Sequence, residues 1–181
     1  MGDTPKSEIR AYVDGANLHK GIGSLGWVLH YGRFRSWLRQ KYGVSDACLF
    51  IGLIPKHAAL YTALQEAGFR LVYKEVVYGE GGMSKGNCDA DLVLQVVRDY
   101  FEGQLKHAVL VSSDGDYAPL VRFLQDKNVP CTIVSPAVSA KCSVLLKRTN
   151  APILYLQDIR QKIDFRKSHR IEKAPDADES A

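Results

Sequence analysis

The sequence contains no CxxC pair. Its four cysteines, Cys48, Cys88, Cys131 and Cys142, stand far apart, and its five histidines, His19, His30, His57, His107 and His169, are scattered singly. That spacing excludes a zinc knuckle or finger and leaves reduced, buried thiols as the expectation. Also missing is any apolar run long enough for a signal-peptide core or a membrane span, which predicts a cytoplasmic protein with no membrane partner. The N-terminal Met-Gly does not make a myristoylation signal, because Lys6 stands where Ser or Thr is required. No internal repeat is present. Charge of one sign is not in large excess: 24 Lys and Arg against 20 Asp and Glu give a net charge of +4, which permits a polyanionic partner without requiring one. What is there is enough for one core and short for two, with 181 residues and 46% hydrophobic.

Strand-like and helix-like stretches alternate almost throughout. This pattern predicts an α/β fold, a three-layer sandwich around a central, mostly parallel sheet. "IRAYVDG", "ACLFIGLI", "FRLVYKEVVYG", "HAVLVSS", "VPCTIVSP" and "PILYLQDI" read as strands. "GRFRSWLRQKYG", "HAALYTALQEAG", "CDADLVLQVVRDYFEG", "DYAPLVRFLQDKN" and "SAKCSVLLKRTN" read as helices, the first two stopped by Gly43 and Gly68. A glycine-rich loop, "GEGGMSKGN", precedes the third helix. The domain is placed at residues 8–160. From about Asp164 the chain runs basic and then small and acidic, and residues 164–181 are expected to be a disordered tail.

Several carboxylates fall where strands end. In open parallel sheets the loops after the strands converge on one crevice, so polar residues just beyond different strands meet in space. Asp14 closes the first strand, and Asp114 and Asp116 follow "AVLVSS". Asp89 and Asp91 compete for a place on the helix after the glycine loop. On a 3.6-residue period Asp89 joins Leu92, Val93, Val96, Val97 and Tyr100, whereas Asp91 lies over Gln95, Arg98 and Asp99, so Asp89 is expected inward and Asp91 outward. A helix that starts late would reverse the two. Each acid also has a plain reading, as a turn, a helix cap or an Asx turn. Together they need a compensating cation, and all-oxygen donors without Cys or His suit Mg²⁺ or Mn²⁺.

The stretches "YVDGANL", "KGNCDADLVL" and "AVLVSSDGDYAPLVRFL" resemble the NYN domain family, a branch of the PIN-like nuclease superfamily, with order and spacing matched over roughly residues 8–160. The resemblance implies a metal-dependent phosphodiesterase fold that usually acts on RNA through an acidic pocket holding one or two divalent ions. Carried over by position, it assigns Asp14 with Asn17 beside it, Asp89, and the acids Asp114 and Asp116 after Ser112 and Ser113. Ser113 stands where glycine is common, a departure that leaves the acids intact.

The residues suit that chemistry on their own terms. Phosphodiester hydrolysis needs neutralised non-bridging oxygens and an activated water, which metal ions supply. Asp14, Asp89 and Asp114 would hold an ion, with Asp116 binding a second or orienting water. Asn17 and Ser112 would donate hydrogen bonds to phosphate, or else cap local backbone. Lys85, in the glycine loop, is the foremost phosphate clamp, with Lys20, Lys147 and Arg148 as further substrate-binding candidates; Lys141 and the basic helix of Arg33, Arg35, Arg39 and Lys41 are weaker ones. Tyr31, Tyr78 and Tyr117 are stacking candidates for bases, and Tyr117 is the one expected in the core. "GIGSLG" at 21–26 matches GxGxxG but does not directly follow a strand, so it is no dinucleotide site. A haloacid-dehalogenase phosphatase would need a second acid at Ala16. The reading is therefore a metal-dependent ribonuclease. Its rival is a catalytically silent PIN-like module that binds RNA or protein. Oligomeric state is left open, a homo-oligomer included.

Overall fold

The computed structural model describes residues 8–75, 77–78, 84–85 and 88–166. Strands β1 (Glu8–Asp14), β2 (Asp46–Leu53), β3 (Arg70–Glu75), β6 (Leu105–Val111), β7 (Cys131–Ser135) and β8 (Ile153–Tyr155) form one sheet in the order β3-β2-β1-β6-β7-β8, every pair parallel. A small antiparallel pair, β4 (Val77–Tyr78) with β5 (Ser84–Lys85), stands apart from it. The helices are α1 (Gly15–Ser24), α2 (Tyr31–Tyr42), α3 (Ala58–Glu66), α4 (Asp89–Phe101), α5 (Ala118–Asp126), α6 (Val144–Lys147) and α7 (Arg160–Ile163).

Period-2 alternation along the strands sorts the core into two halves. Ala11 and Val13 of β1, Leu49 of β2 and Val109 and Val111 of β6 face one layer, where they meet Leu18, Phe34, Leu38, Leu64 and Ile163 from α1, α2, α3 and α7. Tyr12, Phe50 and Leu110 face the other, against Leu92 and Val96 of α4, Val121 and Leu124 of α5 and Leu146 of α6. The expected three-layer sandwich is therefore the observed one. Strand order reverses between β1 and β6, whose carboxyl ends lie side by side with Val13 opposite Val111. In a sheet of this kind ligands bind at such a reversal.

The structure departs from the sequence reading in four places. "FRLVYKEVVYG" is not one strand: the sheet strand ends at Glu75, and Val77–Tyr78 turn away to pair with Ser84–Lys85. β3 is the sheet edge, so nothing beyond it holds a longer strand in line. "SAKCSVLLKRTN" yields a 3₁₀ turn at Ser139–Lys141 and only the four-residue α6, which Ser143 opens by accepting a hydrogen bond from the Leu145 N–H at 3.2 Å. The expected tail does not begin at 164: Asp164 is buried, bridges to Leu29 and accepts from Arg160 Nε at 2.9 Å, while the Phe165 N–H donates to the Val28 carbonyl. Residues 167–181, the rest of that expected tail, lie outside the described residues. Finally, Asp99 is not on a solvated stripe. It is 1% exposed, accepting from Tyr12 Oη at 2.6 Å and Gln95 Nε2 at 2.8 Å and pairing with Arg10 at 3.0 Å. A buried carboxylate is tolerated when hydrogen bonds and an opposite charge surround it.

Candidate active site

Asp14 is the last residue of β1 and the N-cap of α1, with its Oδ1 accepting from the Asn17 N–H at 3.0 Å. The cap explains why a carboxylate ends an apolar strand: it satisfies one orphan donor of the helix that follows. It also leaves Oδ2 on the side of the sheet that carries α4 and α5. There the Tyr117 hydroxyl lies 3.3 Å from Asp14 Oδ2 and donates to Asp89 Oδ1 at 2.6 Å. Tyr117 is buried, as expected of a core residue, but its polar end ties two acids together. That role could not be read from the sequence. Burial, then the hydrogen bond to Asp89, push the Tyr117 phenol far above its ordinary range, so it stays protonated and able to donate.

Asp89 and Asp91 separate as the helical phase predicts. Asp89, at the first position of α4, is half-buried and lines the cleft, whereas Asp91 is exposed and pairs with Lys74 at 3.2 Å. Asp114 caps the turn after β6, with its Oδ1 accepting from the Asp116 N–H at 3.1 Å, so the Asx-turn reading holds for that residue as well. Carboxylate oxygens of Asp89, Asp114 and Asp116 all lie within 4.8 Å of one another. Asp116 is the exposed member of the three. Asp14 stands outside this closest set but lines the same cleft as Asp89 and Asp114, a cavity of about 290 Å³ bounded also by Asn17, Lys20 and Cys88. Burial first, and then the charges of Asp89 and Asp114, raise the Asp14 carboxyl above its usual range, against hydrogen bonds from Asn17 and Tyr117 that favour its ionised form.

The polar candidates divide. Asn17 is half-buried in the cleft wall, and its Oδ1 accepts from both the backbone N–H and the hydroxyl of Ser113 at 2.9 Å, which clamps the start of α1 to the β6 loop. The donors of this side chain are on its amide nitrogen. Ser112 is fully buried and its Oγ accepts from the Asp114 N–H at 3.1 Å, so it shapes the loop and is not presented to phosphate. Lys20 borders the cleft. Lys147 instead donates to the Ser139 carbonyl at 2.5 Å, and exposed Arg148 follows it; neither lines the cleft. Arg35 is taken up by the carbonyls of Gly68, Val44 and Ser45, and Arg33 by that of Asp164, so two cations of the basic helix hold loops together. The Lys85 and Tyr78 side chains and residues 79–83 and 86–87 of the glycine loop lie outside the described residues. The "GIGSLG" stretch runs through the end of α1, with Gly21 and Gly23 inside the helix and Gly26 beyond it.

The donor set fits a hard divalent cation. It consists of carboxylate oxygens from the first residue of α4 and the turn after β6, with no cysteine or histidine among the cluster, and like charges at such distances repel unless a cation or proton offsets them. The half-buried Cys88 thiol is pushed up to about 11, chiefly by burial, so near neutrality it stays protonated beside the acids.

Comparison with known proteins gives one family match: the NYN domain, over residues 9–150. Among solved structures, a protein of unknown function from Vibrio parahaemolyticus is similar in fold, with a TM-score of 0.72 at 22% identity, covering 91% of this chain and all of that one. A ribonuclease, MAR1, from Caenorhabditis elegans is a more distant match, with a TM-score of 0.41 at 9% identity over the full length of both chains. No curated protein matches the chain.

Proposed function

The chain belongs to the NYN domain family, and from that premise we propose that it is a divalent-metal-dependent ribonuclease, with Mg²⁺ or Mn²⁺ as its cofactor and RNA as its substrate. The observation that carries the reading is the convergence of Asp89, Asp114 and Asp116 within 4.8 Å, at the strand-order reversal where Asp14 also ends. A bound ion would supply charge neutralisation at the scissile phosphate and an acidified water.

The chain's own residues do the rest. Asp89 and Asp114 would hold the ion, with Asp14 lining the same cleft, and the exposed Asp116 would bind a second ion or orient the attacking water. Tyr117 orients the Asp89 carboxylate through the oxygen that it donates to. Asn17 offers an amide donor without adding charge, and Lys20 attracts the phosphate backbone at the rim. Lys85 is proposed as a phosphate clamp from its place just ahead of α4.

The test is incubation of the purified protein with Mn²⁺ and labelled single-stranded RNA, alongside EDTA and an Asp114→Asn variant. Cleavage that needs metal and falls by orders of magnitude in the variant is the expected result. Cleavage that survives EDTA removes the metal mechanism, and metal-bound protein that retains RNA without cutting it makes the chain a silent binding module.

A further inference from the structure

A second cavity, of about 260 Å³, opens beside the acidic cleft under α1, on the α1–α3 face of the sheet. The two share Ala16, Ile51 and Gly52 as lining, so they adjoin one another at the end of β2. Their chemistry differs sharply. The acidic cleft has Asp14, Asp89, Asp114 and Lys20, whereas among the described residues no Asp, Glu, Lys or Arg lines the second cavity. Its walls are aliphatic, chiefly Leu18, Leu49, Leu60 and Leu64, and its polar groups are the rings of His19, Tyr31 and His57. The far wall is firmly built: the Tyr61 hydroxyl accepts from the Ile54 N–H at 2.8 Å and donates to the Gly52 carbonyl at 2.9 Å, pinning the turn from β2 into α3.

A largely aliphatic cavity with aromatic edges offers, among the described residues, no Lys or Arg to pair with a phosphate or a carboxylate, and suits a flat, neutral heterocycle. Pockets that enclose a drug-sized ligand run to roughly 300–1,000 Å³, so this one takes a single ring system and not a whole second nucleotide. Its place beside the acidic cleft sets what that ring is attached to. A strand whose phosphate lies against the acids and Lys20 has a base to place nearby, and this aliphatic, aromatic-edged space adjoins that position.

We propose that this cavity is a nucleobase pocket for the RNA strand held at the acidic cleft, in which the His19, Tyr31 and His57 rings supply stacking surface and rim hydrogen bonds. The proposal rests on the ribonuclease reading for its substrate class. Imidazole can present a donor and an acceptor, which makes the pocket a means of preferring one base over another, where phosphate contacts carry no base information.

The experiment titrates the protein with each ribonucleoside 5′-monophosphate and, separately, with ribose 5-phosphate, read by NMR at His19, His57 and Leu60. At least one nucleotide is expected to shift these signals saturably and ribose 5-phosphate to leave them in place. Leu60→Trp, which plugs the cavity, should abolish the shift, and His19→Ala should weaken the nucleotide by about fivefold, the low end of base–aromatic stacking. His19 is exposed, so its variant decides the matter where Leu60→Trp fails to fold. The pocket is overturned if no nucleotide moves the three signals, if ribose 5-phosphate moves them equally, or if both folded variants bind as the parent does. No cleavage is read, so the two hypotheses fail separately: nucleotide uptake without RNA cleavage refutes the nuclease, and RNA cleavage without nucleotide uptake refutes the pocket.

Discussion

The Tyr117 hydroxyl donates to Asp89 Oδ1 at 2.6 Å, joining the turn after β6 to the first residue of α4. Asp14 Oδ2 lies 3.3 Å from the same hydroxyl. One phenolic proton thus sits between two carboxylates that would otherwise repel each other. Because burial and these acids raise its pKa so far, the phenol does not give that proton up near neutrality.

Tyr117→Phe should therefore keep the fold, since the ring is the part that packs. Metal affinity or cleavage rate should drop about 10- to 100-fold, as for other groups that orient a metal ligand. Calorimetric titration of Mn²⁺ beside thermal melting separates the two effects. An unchanged affinity would mean that Asp89 needs no support.

The acid positions were legible because two local rules fix them: a carboxylate closing an apolar strand, and the phase of an amphipathic helix. Leu92 and Val96 are buried as the period requires, and this turns Asp89 inward. What was not legible depends on partners far away in sequence. Asp99 is buried only because Tyr12, 87 residues earlier, and Arg10 reach it. Ser112 is spent on its own loop, and Tyr117 looked like plain core because its hydroxyl's partners come from β1 and α4. The cations were the weakest part of the reading. Arg33 and Arg35 have loop carbonyls to satisfy, which no charge pattern reveals.

Asp14 links stability to pH. Its carboxyl is raised in the folded protein, so between the ordinary carboxylate value of 3.8 and the raised folded value the native state holds more proton than the unfolded one. Stability of the metal-free protein then falls as pH rises through that window and levels off above it. Asp14→Asn removes the penalty while keeping an acceptor for the Asn17 N–H. It should melt above the parent at pH 7 in EDTA, and the gain should vanish below about pH 3.8, where the parent's group is protonated in both states. Scanning calorimetry at the two pH values is the measurement, and a variant that melts lower at pH 7 would make Asp14 a structural cap first.

The glycines of "GIGSLG" have packing roles that differ. A Cβ on Gly21 would meet Pro136 at 2.6 Å from its Cβ and 2.9 Å from its backbone, whereas a Cβ on Gly23 would meet nothing within 4 Å. Gly21→Ala should cost about 1–3 kcal/mol, because α1 would have to lift from the loop after β7. Gly23→Ala, in the same helix, should stabilise by up to about 1 kcal/mol. Urea denaturation of both variants tests this, and equal effects would show that α1 does not pack as closely as described.

Asp89 and Asp91 provide the sharpest test of the site, because two residues correspond to about 200° of helix rotation and only one can face the cleft. Asp89 lines the cleft, accepts from Tyr117 and lies within 4.8 Å of Asp114 and Asp116. Asp91 points outward to Lys74, with side-chain exposures of 47% and 35%, and an ion pair so open to solvent contributes about 0–1 kcal/mol. Asp91→Asn should accordingly retain most activity and lose at most about 1 kcal/mol of stability. Asp89→Asn should lose metal affinity together with nearly all cleavage, and it should not melt lower in EDTA, since one charge of a repelling cluster is gone. Steady-state cleavage rates, Mn²⁺ titration and melting of the two variants in parallel measure all three quantities. A more damaging Asp91→Asn would mean that α4 is rotated by about half a turn in the working protein, and that the cleft is built around the other acid.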